Sequence, residues 1–138
     1  MNDEQRLEAS VGELARITLS ASDEYMRILR DLGRRESFAS ARQRAHALAV
    51  ALSTTTISLC VISPKIGELP ANLRPPLGVV LLLGALQASC TLIATASDPA
   101  KLEDMPLAGA REIDLLADGG PIEAWVRRAL AVKTPDAV

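Results

Sequence analysis

Residues 77–97 read LGVVLLLGALQASCTLIATAS and contain no charged side chain. Pro75 and Pro76 precede this segment, and Asp98 and Pro99 follow it. A helix needs about 20 apolar residues to cross a bilayer, so the segment is long enough for one transmembrane span. A soluble helix of this length normally carries a charged face. The segment therefore favours a membrane span, while a buried core helix of a soluble bundle stays open as the alternative.

A second uncharged block lies upstream, where residues 47–63 read ALAVALSTTTISLCVIS and Pro64 follows. Its 17 residues reach the short end of the range of about 17–25 that spans a bilayer. The loop over 64–76 is short and contains four prolines, so the two helices should be antiparallel neighbours. The sequence therefore predicts a two-helix transmembrane hairpin over residues 46–97, within an all-α fold.

Arginines are concentrated before the first block, at Arg27, Arg30, Arg34, Arg35, Arg42 and Arg44, whereas the loop has only Lys65 and Arg74. The positive-inside rule then puts both chain ends in the cytoplasm and the loop outside. The acidic start of the chain, without a following apolar segment, also predicts no cleaved signal. We expect an inner-membrane protein, with anionic lipid as the contact of Arg34, Arg35, Arg42 and Arg44. The net charge of −2 argues against a nucleic-acid partner.

Residues 1–45 are expected to form a cytoplasmic, coiled-coil-like segment. Apolar or small residues recur there at alternating spacings of four and three, which is a heptad pattern. The seam consists of Leu7, Val11, Leu14, Thr18, Ala21, Tyr25, Ile28 and Leu32. The pattern predicts one helix over 3–32 that stops at Gly33. Its seam would bind a second copy, a partner helix or another part of the same chain.

Residues 98–138 are expected to form a cytoplasmic tail with an amphipathic helix over 121–133. Pro121 suits a first helical position, and a short helix over 106–118 is possible. The apolar stripe of the later helix contains Ile122, Trp125, Val126, Ala129 and Leu130. This stripe could lie on a membrane surface or pack on the N-terminal helix, and we favour packing on protein.

Small and weakly polar residues line one face of each apolar block. They are Ala49, Ser53, Thr56, Cys60 and Ser63 in the first block, and Gly84, Gln87, Thr91 and Ala94 in the second. In lipid, such residues let helices approach and hydrogen-bond. The stripes should pack the hairpin, build an oligomer or line a water-filled path. Leu82, Leu86 and Ile93 would then face lipid.

The sequence offers little for catalysis. Aromatic residues make up 2% of the chain, there is one histidine, His46, and the two cysteines lie inside the apolar blocks. No phosphate-binding, dinucleotide or hydrolase motif occurs. We expect no enzyme activity, no catalytic residue, no cofactor and no metal. Cys60 and Cys90 should lie at different depths of the hairpin, too far apart for a disulfide.

The N-terminal helix, the run Arg42 to His46, the Ser/Thr-rich first span, the short loop and the second span together resemble bacterial SLATT-type two-transmembrane effectors. Phage holins share the coarse plan. This resemblance implies a protein that damages membranes in defence, and it transfers no site residue. We therefore expect a non-enzymatic, self-associating, membrane-permeabilising protein. The alternatives are a membrane scaffold whose N-terminal helix binds a partner, and a soluble helical bundle.

Overall fold

The computed structural model describes residues 2–105, 107 and 120–131, and over these residues the chain is helical without a strand. Short 3-10 turns lie at Arg35–Ser37, Ser63–Glu68, Ala71–Leu73 and Pro99–Asp104. The α-helices of the described residues are α1 (Asp3–Leu32), α2 (Phe38–Ile62), α3 (Leu77–Thr95) and α4 (Pro121–Leu130). The all-α prediction is confirmed, whereas the possible helix over 106–118 lies almost entirely outside the described residues.

Helix α1 has the bounds that its heptad spacing predicts. It begins in a capping box, in which the Gln5 backbone N–H donates to Asn2 Oδ1 at 2.8 Å and the Asn2 N–H donates to Gln5 Oε1 at 3.0 Å. Two donors that the first turn leaves without a helical partner are thereby satisfied. The helix ends at Gly33. The break falls five residues before α2, so the basic connector over 34–46 is only partly continuous with the first apolar block.

Helices α2 and α3 form an antiparallel hairpin. The Gln87 amide reaches Ser53 near the middle, and the Arg42 side chain reaches the Ala94 carbonyl near one end. Helix α3 follows Pro76, whose carbonyl accepts the Val79 N–H at 3.0 Å. We call the end that carries residues 63–76 the loop end, and the opposite end, where α2 begins, the basic end.

Helix α1 lies along the hairpin for most of its length. Near the loop end Leu14 borders a cavity with Leu59 of α2, and near the basic end Glu24 pairs with Arg44. The seam faces this contact: Leu7, Val11, Leu14, Thr18, Ala21, Tyr25 and Ile28 are buried and Leu32 is partly buried. The seam therefore packs inside its own chain, which is one of the alternatives that the sequence left open. A coiled coil between copies stays a prediction.

Helix α4 packs on α1 and on the loop end of the hairpin. The Trp125 indole Nε1 donates to the Leu73 carbonyl at 2.9 Å, and its ring is fully buried. Glycines permit the close approach: a Cβ at Gly78 would lie 2.9 Å from Ile122 Cδ1, and one at Gly12 would lie 3.4 Å from the Ala129 carbonyl oxygen. The expectation that this helix packs on protein is confirmed. The described helix ends at Leu130, three residues before the predicted end.

The positions of α1 and α4 differ from the predicted membrane topology. The prediction separates the loop over 64–76 from the last helix by a bilayer, whereas the structure joins them through Trp125 and through Arg128, whose Nε donates to the Asn72 carbonyl at 2.7 Å. The prediction also makes residues 1–45 a separate segment, whereas α1 runs beside the hairpin. The sequence allows both helices to pack within the chain, but it does not identify the hairpin and its loop as the surfaces, because an amphipathic helix does not indicate which apolar surface covers it.

Candidate membrane-contacting face

Among the residues that the structure describes, none covers the side of the hairpin opposite α1. The large hydrophobic residues exposed there, which we call the open face, are Val50, Ile57 and Val61 of α2 and Leu77, Val80 and Leu81 of α3. On α2 their spacing of seven and four residues keeps the side chains on one helix face. Ile57 is 66% exposed and Leu81 is 59% exposed. Contiguous exposed apolar surface of this kind marks a contact with protein or membrane.

The expected lipid-facing residues of α3 are corrected by the structure. Leu82, Leu86 and Ile93 are fully buried, whereas Leu81, next to Leu82, is open. Helix α3 contacts α1 and α4 as well as α2, and the predicted topology places α1 and α4 away from the hairpin. In that topology, any apolar side of α3 that does not contact α2 faces lipid.

The two polar stripes meet in part. Gln87 Nε2 donates to Ser53 Oγ at 2.6 Å, and Thr56 Oγ1 donates to Gln87 Oε1 at 3.3 Å. Ser53 Oγ also donates to the Ala49 carbonyl at 3.0 Å, and the single Thr56 hydroxyl proton is shared between Gln87 Oε1 and the Leu52 carbonyl, which lies 3.0 Å from Oγ1. Gln87 therefore has protein partners for both ends of its amide, and it ties α2 to α3 near the centre of the hairpin.

The remaining stripe residues do not join this contact. Cys60 and Thr91 are exposed, and Thr91 donates to the Gln87 carbonyl within α3 at 2.9 Å. Gly84 faces open space, since no atom lies within 4 Å of a Cβ built there. Cys60 and Cys90 are free thiols, one exposed and one buried. The exposed small residues of α3 lie beside the open face and leave room for another helix or for lipid.

Arg44 joins the hairpin to α1 by two ion pairs. Its Nη1 lies 2.6 Å from Asp31 Oδ2, and its Nη2 lies 2.8 Å from Glu24 Oε1. Its Nε also donates to Glu24 Oε1 at 3.0 Å. The hydrogen bond from Arg44 lowers the pKa of the Asp31 carboxyl, and the charges of Arg44, Arg30 and Arg34 lower it further. The other described ion pairs, Arg16–Glu13 and Arg127–Glu123, each stay within one helix.

The four arginines predicted to contact lipid lie in different surroundings. Arg34 and Arg35 are exposed in the turn between α1 and α2, and Arg44 is engaged with its two carboxylates. Arg42 is partly buried, with its guanidinium 5.8 Å from the centre of the Phe38 ring and its Nη2 3.2 Å from the Ala94 carbonyl oxygen. Only Arg42 lies on the side of α2 that meets the end of α3.

Two features of this site escaped the sequence interpretation. The first is the open face, since apolar residues surround the hairpin helices and no periodicity marks the uncovered side. The second is the pairing of Arg44 with Glu24 and Asp31 across a turn. The seven-residue spacing of Glu24 and Asp31 puts both carboxylates on one face of α1, which could have suggested a shared basic partner.

Two helical stretches of the described residues, over 35–68 and 71–95, are long and apolar enough to cross a membrane by length and composition. In the most apolar 18-residue part of each, 22% and 39% of the residues are buried. A core helix of a soluble bundle would be mostly buried, so both stretches are compatible with membrane contact.

Comparison with known proteins finds no matching family model, no similar curated protein and no similar solved structure.

Proposed function

We propose that this chain is a small, non-enzymatic membrane protein whose α2–α3 hairpin enters the bilayer, self-associates there and permeabilises it. The observation that carries the proposal is the open face. Six large hydrophobic side chains on it are 49–73% exposed, and residues 47–63 and 77–97 contain no charged side chain that would oppose their transfer into lipid.

The lengths of the two helices suit this role. Helix α3 has 19 residues, which gives about 28 Å at about 1.5 Å per residue. The uncharged part of α2 over 47–62 gives about 24 Å on the same basis. A hydrocarbon core is about 30 Å thick, so α3 crosses it nearly upright, and α2 needs slight local thinning of the bilayer.

The proposal includes a closed form and a membrane form. Helix α1 exposes the charged side chains of Glu13, Arg16 and Asp23, and these charges cannot follow the hairpin into hydrocarbon without a large cost. In the membrane form the hairpin therefore separates from α1 and α4, which stay at the surface. The closed form is then the arrangement described above, in which α1 and α4 pack on one side of the hairpin.

Hydrogen bonding at the α1 contact is suited to such a separation. The buried hydroxyls of Thr18, Ser22 and Thr55 each donate to the carbonyl four residues earlier in their own helix, at 2.8–3.0 Å. These bonds remain when the helices part. Arg44 and its two carboxylates are partly exposed, and water can take the place of their ion pairs.

Self-association in lipid is supported by the small residues beside the open face. Gly84 and Thr91 are exposed on α3, and small residues let helix backbones approach closely in a bilayer. Gln87 already holds Ser53 and Thr56 inside one hairpin, so each hairpin would enter an oligomer as a preformed unit. The resemblance to two-transmembrane effectors agrees with this assembly.

Fractionation tests membrane insertion. We expect the expressed full chain to stay in the membrane pellet after alkaline carbonate treatment and to dissolve in detergent. Release by carbonate without detergent would contradict insertion and favour the soluble bundle. Leakage of a trapped dye from vesicles, or loss of membrane potential on induced expression, tests permeabilisation, and insertion without either effect would contradict that part.

A scaffold is the second candidate, and a groove between α1 and α2 favours it. The groove has a volume of about 660 Å³, with Ile17, Leu48 and Leu52 among its apolar residues and Glu13, Arg16 and Arg44 among its charged residues. A partner helix with an apolar stripe could lie there. Membrane insertion without leakage, together with co-purification of one defined partner, would favour this function over permeabilisation.

A further inference from the structure

A cavity of about 410 Å³ opens at the basic end of the hairpin. Its walls are formed by Ala39, Arg42, Gln43 and His46 of α2 and by Ala94 of α3. Among the described residues, no carboxylate belongs to this lining. The polar groups that surround the cavity are a guanidinium, an amide and an imidazole, all of which can donate hydrogen bonds.

Arg42 has unused hydrogen-bonding capacity at this cavity. Its Nε is buried and has no hydrogen-bond partner in the part of the chain that the structure describes. Its Nη2 donates to the Ala94 carbonyl at 3.2 Å, which is at the long end of the usual range. A buried donor without an acceptor is costly, so an anion in the cavity would supply what the guanidinium lacks. Arg44, two residues later, is already paired with carboxylates.

The cavity continues directly into the open face. Gln43, His46, Val50, Ile57 and Val61 follow one another at spacings of three, four, seven and four residues, which keeps them on one side of α2. The polar end of this row is formed by the cavity residues and the apolar end by side chains that are 54–68% exposed. A ligand that matches the row has an anionic head and an apolar tail.

We propose that this cavity binds a phosphate group, and specifically the phosphate of an anionic glycerophospholipid whose acyl chains lie along the open face. Arg42 donates to the phosphate oxygens, while Gln43 and His46 contact the head group from the open side. Planar guanidinium groups match phosphate oxygens well. The proposal rests on the membrane function given above and deepens it, because it assigns lipid recognition to one arginine rather than to the basic segment as a whole.

Flotation of the purified full chain tests the site with vesicles of phosphatidylcholine, with and without phosphatidylglycerol. We expect Arg42→Gln to weaken binding to the anionic vesicles about tenfold, which corresponds to the loss of one hydrogen bond to a charged group. The matched control is Arg35→Gln, which removes one exposed charge from the same segment. His46→Ala, a change at an exposed residue, should weaken binding in the same direction as Arg42→Gln.

The outcomes separate the site from the membrane function. Equal losses for Arg42→Gln and Arg35→Gln would overturn the site and leave membrane binding in place, because diffuse attraction treats the two charges alike. Circular dichroism and unfolding of both variants check that each one folds; if Arg42→Gln unfolds, an unchanged His46→Ala overturns the site. If inorganic phosphate raises the unfolding temperature of the chain but not of Arg42→Gln, while no vesicle binds, the cavity is a phosphate site, and both its assignment to lipid and the membrane function are overturned. Binding of neither probe overturns both.

Discussion

Helices α1 and α3 share one core but differ in what they present on the other side. Helix α1 buries its seam of large side chains and exposes charged residues such as Glu13 and Arg16. Helix α3 buries Leu82 and Leu86 and exposes Leu77, Val80 and Leu81. Both helices pack on the core through apolar side chains, but of the two only α1 exposes charged side chains to solvent. The comparison indicates that the bundle is amphipathic as a whole, with one side for water and one for an apolar environment.

The largest expected effect is a difference in stability between substitutions at Leu82 and Leu81, two neighbouring residues of α3. Leu82→Ala should lower the free energy of unfolding of the closed form by about 2–5 kcal/mol, since Leu82 is fully buried and its loss leaves a cavity. Leu81→Ala should change it by less than about 0.5 kcal/mol, because Leu81 is largely exposed. Urea unfolding in detergent-free buffer measures both. Equal costs would contradict the rotation of α3 in the bundle.

Leu81 and Leu82 also show which parts of the fold could be predicted from the sequence. The bounds of α1 follow from its heptad spacing, and the start of α3 follows from Pro75 and Pro76. The stripe interpretation includes packing of the hairpin through Gln87, whose amide contacts Ser53 in the structure. It could not distinguish Leu81 from Leu82, because apolar residues surround α3 and the covering helices come from distant parts of the chain. The docking of Trp125 on the Leu73 carbonyl is likewise a long-range contact without a local signal.

The difference between the open face and the exposed side of α1 can be tested by placing a lysine on each. Ile57→Lys puts an ammonium group on the open face, near the centre of the first apolar block. A lysine at the centre of a span costs about 2.5–3.5 kcal/mol on insertion scales, so vesicle binding should fall by about two orders of magnitude. Leu19→Lys changes an exposed aliphatic residue of α1, 39% exposed, and should leave binding nearly unchanged.

Flotation measures both variants, and unfolding in buffer provides the control for folding. Both substitutions lie on exposed surface, so each should alter the free energy of unfolding by less than about 0.5 kcal/mol. If Leu19→Lys weakened vesicle binding as much as Ile57→Lys, membrane contact would not be a property of the open face, and the amphipathic character of the bundle would have no bearing on its function.

A smaller effect is expected for the polar contact inside the hairpin. Gln87→Leu removes the bonds to Ser53 and Thr56, whose hydroxyls keep their bonds to carbonyls of α2. The free energy of unfolding should fall by about 0.5–1.5 kcal/mol. Thr91→Val is the control, since the Thr91 hydroxyl bonds only within α3 among the contacts described. An unchanged stability for Gln87→Leu would show that apolar packing alone pairs α2 with α3.

The smallest effect concerns the charges that join α1 to the hairpin, and it depends on pH. Arg44 lowers the pKa of Asp31 in the folded chain, so this pairing stabilises the bundle above the unfolded-state pKa of about 3.9 and the contribution is lost as the pH falls through the lower folded value. Asp31→Asn should therefore destabilise the chain at neutral pH and lose its effect under acid. Asp23→Asn, an exposed change on the same helix, should not show this pattern. Urea midpoints measured against pH for both variants decide the point. If the difference between wild type and Asp31→Asn persisted unchanged in acid, the Arg44–Asp31 ion pair would not help to hold α1 on the hairpin, and the apolar seam of α1 would do so alone. A change of charge at this pair could then not release the hairpin from α1.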